Sequence, residues 1–124
     1  MGSERYAVEG LARKPDVDPQ TFFDLDIRVG RVVAVEAFPE ARDPAWKLTV
    51  DFGPVLGELR TSAQITNYGE DELVGRQVVG VVNLGVKRIA GFESQFLVLG
   101  ALEPDGTVRL LAVPPDVEPG APIA

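Results

Sequence analysis

The sequence predicts an all-β fold, a small barrel of five or six short strands, on three observations. Trp46-Lys47-Leu48-Thr49-Val50-Asp51-Phe52 alternates apolar and polar residues without a fault, the mark of a half-buried strand. Further apolar runs of strand length recur along the chain, punctuated by Gly and Pro. Between the third and fourth of them lies one short helical segment, Glu70-Asp71-Glu72-Leu73-Val74. That helix placement matches an OB-type five-stranded Greek-key barrel with short helices and extra C-terminal strands. A β-sandwich is the next choice.

Taken in order, residues 1–20 are polar and irregular and read as a flexible or loosely docked extension, leaving 21–124 as one domain. Asp18-Pro19 starts a helix, because Asp is a good N-cap and Pro suits the first helical position. Phe22, Phe23 and Leu25 give it an apolar face for one or two turns. Ile27 to Glu36 is rich in Val with Gly30 inside it, which predicts a strongly bent or bulged strand. Gly53-Pro54 ends the Trp46 strand, and Glu58 to Ile65 returns as its hairpin partner. The short helix that follows carries its acidic residues where a helix N-terminus favours them. Val78 to Leu84 and Phe96 to Leu102 are two more strands. Pro104-Asp105-Gly106 is a turn leading into Val108 to Val113. The Pro- and Gly-rich C-terminal segment can be an edge strand or a strap at most.

Composition limits the chemistry. The 124 residues suit one hydrophobic core, with 45% hydrophobic and 25% charged residues, so disorder is not the default state. Cysteine and histidine are both absent, which removes disulfides, thiol nucleophiles and the commonest general base near neutral pH. An enzyme has little behind it, and no cofactor is implied. No apolar run approaches a spanning helix and no secretory signal opens the chain, so no membrane insertion and a cytoplasmic location are the expectations. Residues 21–100 hold eight Lys/Arg against eleven Asp/Glu, and the ends add −1 and −3 to reach the net charge of −7. Phosphate backbones are bound chiefly through cations, so an acidic chain starts at a disadvantage with nucleic acid unless it concentrates its Lys and Arg locally.

Three stretches carry a family resemblance. They are Phe23-Asp24-Leu25-Asp26-Ile27-Arg28-Val29-Gly30-Arg31-Val32; Phe38-Pro39-Glu40-Ala41-Arg42 with Pro44-Ala45-Trp46-Lys47-Leu48 and Asp51-Phe52-Gly53; and Ser62-Ala63-Gln64-Ile65-Thr66 with Val81-Val82-Asn83-Leu84 and Lys87-Arg88-Ile89-Ala90-Gly91-Phe92-Glu93-Ser94. Together they resemble the tRNA-binding OB domain found at the C-terminus of methionyl-tRNA synthetase and in free-standing homologues. The form of the second stretch is more similar to the CsaA branch of that family, which are secretion-linked chaperones. That resemblance implies an ATP-independent homodimer that binds unfolded or precursor polypeptides and is linked to protein export. The wider family implies the alternative, an RNA-binding module for tRNA.

Candidate ligand-binding residues follow from the same motifs. Arg28, Arg42, Lys47, Lys87 and Arg88 can meet phosphates or acidic stretches of polypeptide; the bland alternative is a solvated face with surface ion pairs. Ser62, Gln64, Asn83, Ser94 and Gln95 can hydrogen-bond a base edge or an extended peptide backbone; the alternative is that Ser62 and Asn83 satisfy loop backbone groups. Trp46, Phe38, Phe92 and Phe96 can stack bases or hold apolar client side chains, although Trp46, in phase with Leu48 and Val50, points to core or interface. The acidic run Glu70-Asp71-Glu72 reads as a solvated first turn rather than a metal cluster.

Overall fold

The structure, a computed structural model, describes residues 5–124. Residues 1–4 of the predicted extension lie outside the described residues. Tyr6 docks on the far end of the chain, its N–H donating to Pro104 O at 3.1 Å and its hydroxyl to Leu102 O. A single 3-10 turn, Val8–Gly10, follows and buries nothing. Helix α1 (Pro19–Phe23) starts as read, with the Asp18 carboxylate accepting from the Gln20 N–H at 2.9 Å. Its apolar face stays open: Phe22 and Phe23 are both exposed.

Strand β1 (Ile27–Ala37) is long enough to serve two neighbours. Its first half pairs antiparallel with β4 (Gln77–Val81) and its second with β2 (Trp46–Asp51). The bulge expected in this strand falls between Val32 and Ala34, leaving Val33 exposed. Gly30 answers a packing need: a Cβ there would lie 2.5 Å from Val50 Cγ1 and 2.8 Å from the Phe52 ring. β2 runs into α2 (Gly53–Leu56), one helical turn where the sequence showed only a break, and then into its hairpin partner β3 (Glu58–Ala63). Helix α3 (Glu70–Leu73) sits between β3 and β4 as predicted; the Gly69 N–H donates to the Glu72 carboxylate at 2.7 Å, and Leu73 is wholly buried.

After β4 the chain forms a hairpin that strand patterning did not reveal, β5 (Lys87–Ile89) against β6 (Phe92–Ser94). Its two-residue loop, Ala90-Gly91, has φ of 47° and 80°, the doubly left-handed geometry whose twist suits tight hairpins. The strand expected over Phe96–Leu102 is two: β7 (Leu97–Val98) completes the sheet, and β8 (Gly100–Leu102) leaves it to pair with β9 (Val108–Leu110). In the turn between β8 and β9, the Thr107 N–H and hydroxyl hold the Asp105 carboxyl below the usual carboxylate range.

The sheet order β3-β2-β1-β4-β7 curls until β3 meets β7. Arg60 N–H donates to Gln95 Oε1 at 2.8 Å, Gln95 N–H to Arg60 O at 2.7 Å, and the Thr61 hydroxyl to Phe96 O at 2.7 Å. The result is a nearly closed five-stranded antiparallel barrel of OB type, with extra C-terminal strands. Inside it, Leu48, Val50, Phe52, Ile65, Leu73 and Val78 are at most 1% exposed, and Phe52 meets Phe96 edge-on at 4.9 Å. A second apolar cluster lies around Ile27, Val79 and Val81, covered by Leu99, Val113 and Ile123. The C-terminal segment is a strap along β1: Gly120 N–H donates to Val29 O, Val29 N–H to Ala121 O and Ile123 N–H to Ile27 O, at 2.7–2.9 Å. It covers backbone groups that would otherwise form an open strand edge.

Candidate functional site

Because β2 and β3 alternate, Leu48, Val50, Thr61 and Ala63 enter the core while Lys47, Thr49, Arg60 and Ser62 lie on the opposite face. This is the β2–β3 face that OB barrels use for ligands, bordered by the loop 38–45 before β2 and by the long connection 82–96 that holds the β5–β6 hairpin.

At its centre is a cation–aromatic cluster. Phe38 and Phe92 pack at 5.5 Å between ring centres, and both are largely buried. Lys47 Nζ lies 4.8 Å from the Phe38 centroid and 5.3 Å from that of Phe92. The Arg60 guanidinium lies 4.8 Å from the Phe92 centroid. The ring faces carry the negative lobe of the aromatic quadrupole, so they form a pedestal that holds cations at the surface. A shallow groove of about 380 Å³ runs beside them, lined by Arg60, Arg88, Gly91, Phe92, Glu93 and Gln95.

Two carboxylates belong to the same surface. Glu36 of β1 accepts from Arg60 at 3.0 Å, and Glu93 of β6 accepts from its cross-strand partner Arg88 at 2.6 Å. Glu36 also lies opposite Lys47 in the β1–β2 register. Lys47, Arg42 and Lys87 have no carboxylate within ion-pair distance among the described residues.

The structure gathers part of the predicted set here. Lys47 and Ser62 are cross-strand partners on the face, and Arg88 and Gln95 line the groove. Gln64 is exposed just beyond β3, Arg42 is exposed in the first bordering loop, and Lys87 is exposed on the hairpin. Ser94 lies beneath the surface, its hydroxyl 2.7 Å from that of Thr61. Trp46 turns towards the core and donates its indole N–H to Tyr68 O at 3.0 Å. Phe96 is a core residue.

Arg28 and Asn83 are elsewhere. The Arg28 guanidinium bonds the Asp26 carboxylate at 2.6 Å and Gly120 O at 3.2 Å, tying the strap to β1. Asn83 accepts from Asp26 N–H and donates to Asp24 O, both at 2.8 Å, pinning the end of α1 to the end of β4. Arg60, Glu36 and Glu93 were absent from the predicted set. Arg60 could have been found from its phase, since residues 60, 62 and 64 alternate with the buried Thr61, Ala63 and Ile65. No group of His, Cys, Asp or Glu able to hold a metal ion occurs among the described residues, and no helix among them is long and apolar enough to cross a membrane.

Comparison with known proteins agrees with this architecture. A family profile described as "Putative tRNA binding domain" matches residues 27–122. The CsaA chaperone protein of Picrophilus torridus is 46% identical, with a TM-score of 0.83 over 88% of this chain and 100% of that one. Chaperone CsaA of Bacillus anthracis is 43% identical, with a TM-score of 0.84 over 89% of this chain and 100% of that one. Methionine–tRNA ligase of Porphyromonas gingivalis is 32% identical over 123 residues, which are 99% of this chain but only 18% of the ligase. The chain therefore belongs to the tRNA-binding-domain family, and within it to the CsaA-like proteins.

Proposed function

We propose that this protein is a non-enzymatic, ATP-independent chaperone that binds unfolded or precursor polypeptides on the β2–β3 face and serves protein export from the cytoplasm. The observation that carries the reading is the cluster of Lys47 and Arg60 over the Phe38–Phe92 pedestal. A face of this kind offers hydrogen-bonding groups to an extended backbone and charges of both signs to a mixed sequence, with the buried Phe38–Phe92 pair holding the cations in place. Similarity to CsaA chaperones along their full length supports it. The ligand-binding set comprises Lys47, Ser62, Arg88 and Gln95 on the face, with Arg42, Gln64 and Lys87 at its margins. Arg28, Trp46, Asn83 and Ser94 support the framework around it.

The working unit is a homodimer. Supporting this, Phe22, Phe23 and Leu25 of the α1 region and Leu84 and Val86 after β4 are all exposed, at the corner where Asn83 joins the two segments. Large exposed apolar side chains gathered at one corner suit a surface that a second copy covers. Sedimentation at micromolar concentration will give a dimer, and replacing Phe22 and Phe23 with Asp will shift it to monomer. A wild-type monomer contradicts the assignment.

Chaperone activity is tested by light scattering of a chemically denatured client, such as citrate synthase, diluted into buffer without nucleotide. A several-fold molar excess of this protein will suppress aggregation; no suppression removes the reading. The second reading, a tRNA-binding module, is favoured by the family's description and by the two arginines, Arg60 and Arg88, that line one groove, with Lys47 over the adjoining Phe92 ring. In that case, replacing Lys87 and Arg88 by Ala will weaken RNA binding and flatten its salt dependence.

A further inference from the structure

The two arginines that line the groove are already engaged by carboxylates of their own chain. Arg60 meets Glu36 at 3.0 Å and Arg88 meets Glu93 at 2.6 Å, and in both pairs the partners are well exposed to solvent. Pairs this open add little to stability, so folding alone is a weak reason for them. Their placement on the ligand face is more informative. Glu36 lies on β1, Arg60 two strands away on β3, and between them stands Lys47, opposite Glu36 in register. Glu36 thus pairs with Arg60 and is the cross-strand neighbour of Lys47. Glu93 lies directly across the hairpin from Arg88 and lines the same groove.

We propose that Glu36 and Glu93 are specificity-determining residues that set this face against polyanions. A phosphate approaching Arg60 or Arg88 must displace a carboxylate that the strand register keeps beside the site, and it then remains next to that like charge. The cost recurs at both arginines. A polypeptide segment of mixed charge meets no such barrier, because its own cations pair with Glu36 or Glu93 while its carboxylates and backbone meet the cations and polar groups of the face. The two carboxylates therefore convert a surface able to bind a phosphate backbone into one selective for polypeptide. Specificity here comes from a repulsive element built beside the attractive one.

This inference rests on the β2–β3 face being the ligand surface, as in the proposed function, but its test does not depend on the client. Binding of labelled bulk tRNA is measured across a salt series for the wild type, E36Q, E93Q and E36Q/E93Q. The double variant will bind about tenfold more tightly at low salt, with a log–log salt slope steeper by about 2, as two newly available phosphate contacts require. Two further variants separate this from a change in net charge. E70Q/E72Q removes the same charge from α3 and will leave tRNA binding near the wild-type value. Adding R60A and R88A to E36Q/E93Q will abolish the gain. An unchanged affinity in E36Q/E93Q, or an equal gain in E70Q/E72Q, overturns the inference; circular dichroism of each variant checks the fold. If E36Q/E93Q gains tRNA binding while the wild type fails to suppress client aggregation, the carboxylates have the stated role and the chaperone reading fails on its own.

Discussion

Lys47 Nζ stands 4.8 Å from the centre of the Phe38 ring, on a strand whose next residue, Leu48, is completely buried. Strand alternation forces this pairing of opposites: one step along β2 moves a side chain from the core to the ligand face. The cation is thereby fixed over aromatic surface by the same register that builds the barrel.

Replacing Lys47 with Met retains most of the apolar stem and removes the charge. The loss of the cation–π contacts will lower stability by about 0.5–1 kcal/mol, measurable by urea unfolding. Residual tRNA binding will lose one phosphate contact, so its salt slope will become shallower by about 0.9. Client binding will weaken as well, because Lys47 belongs to the proposed ligand-binding set of the face.

Ala90 is the only non-glycine residue with positive φ among those described, and it sits in the tight loop of the β5–β6 hairpin beside the groove. A Cβ is disfavoured in this conformation. A90G and A90N will therefore raise stability by up to about 1 kcal/mol, read as a higher urea midpoint with an unchanged m-value. A loss of stability in both would show that the methyl group packs usefully.

Gly120 has φ of 96°, and a Cβ there would lie 2.7 Å from Phe52 O. Gly53 faces it across the same contact with φ of 91°. G120A will cost about 1–3 kcal/mol and loosen the strap. Faster proteolysis confined to the C-terminal segment, at unchanged barrel circular dichroism, will report it.

The Asp105 carboxyl titrates below the ordinary value because Thr107 donates to its charged form. A depressed folded pKa means that the contribution to stability is present above the unfolded value of about 3.9 and is lost as pH falls through the folded one. An NMR titration will place the midpoint below that value, and T107A will return it upward.

The barrel was legible because its signals are local. The alternation from Trp46 to Phe52, the Gly and Pro breaks and the acidic helix before Val78 each reflect one element's own chemistry. The β5–β6 hairpin escaped for the same reason: its strands are three residues long, and its turn is Ala-Gly rather than the Asn-Gly that announces such loops. The bulge in β1 was legible, but its position at Val33 was not, and the role of Gly30 is to make room for Phe52, a contact made only after folding. In the site, Lys47 and Arg88 were legible as cations within motifs. The Glu36–Arg60 pair was not, since it spans β2 and depends on the register of three strands. The partners of Arg28 and Asn83 at the strap and the α1 corner are likewise long-range and leave no local trace.

The most direct test of the account is a competition at physiological salt between a labelled, permanently unfolded polypeptide and bulk tRNA for the wild-type protein. The account predicts that the polypeptide binds without nucleotide and is not displaced by excess tRNA. Tight tRNA binding that survives physiological salt, with no measurable polypeptide binding, would contradict it and make this protein an RNA-binding module.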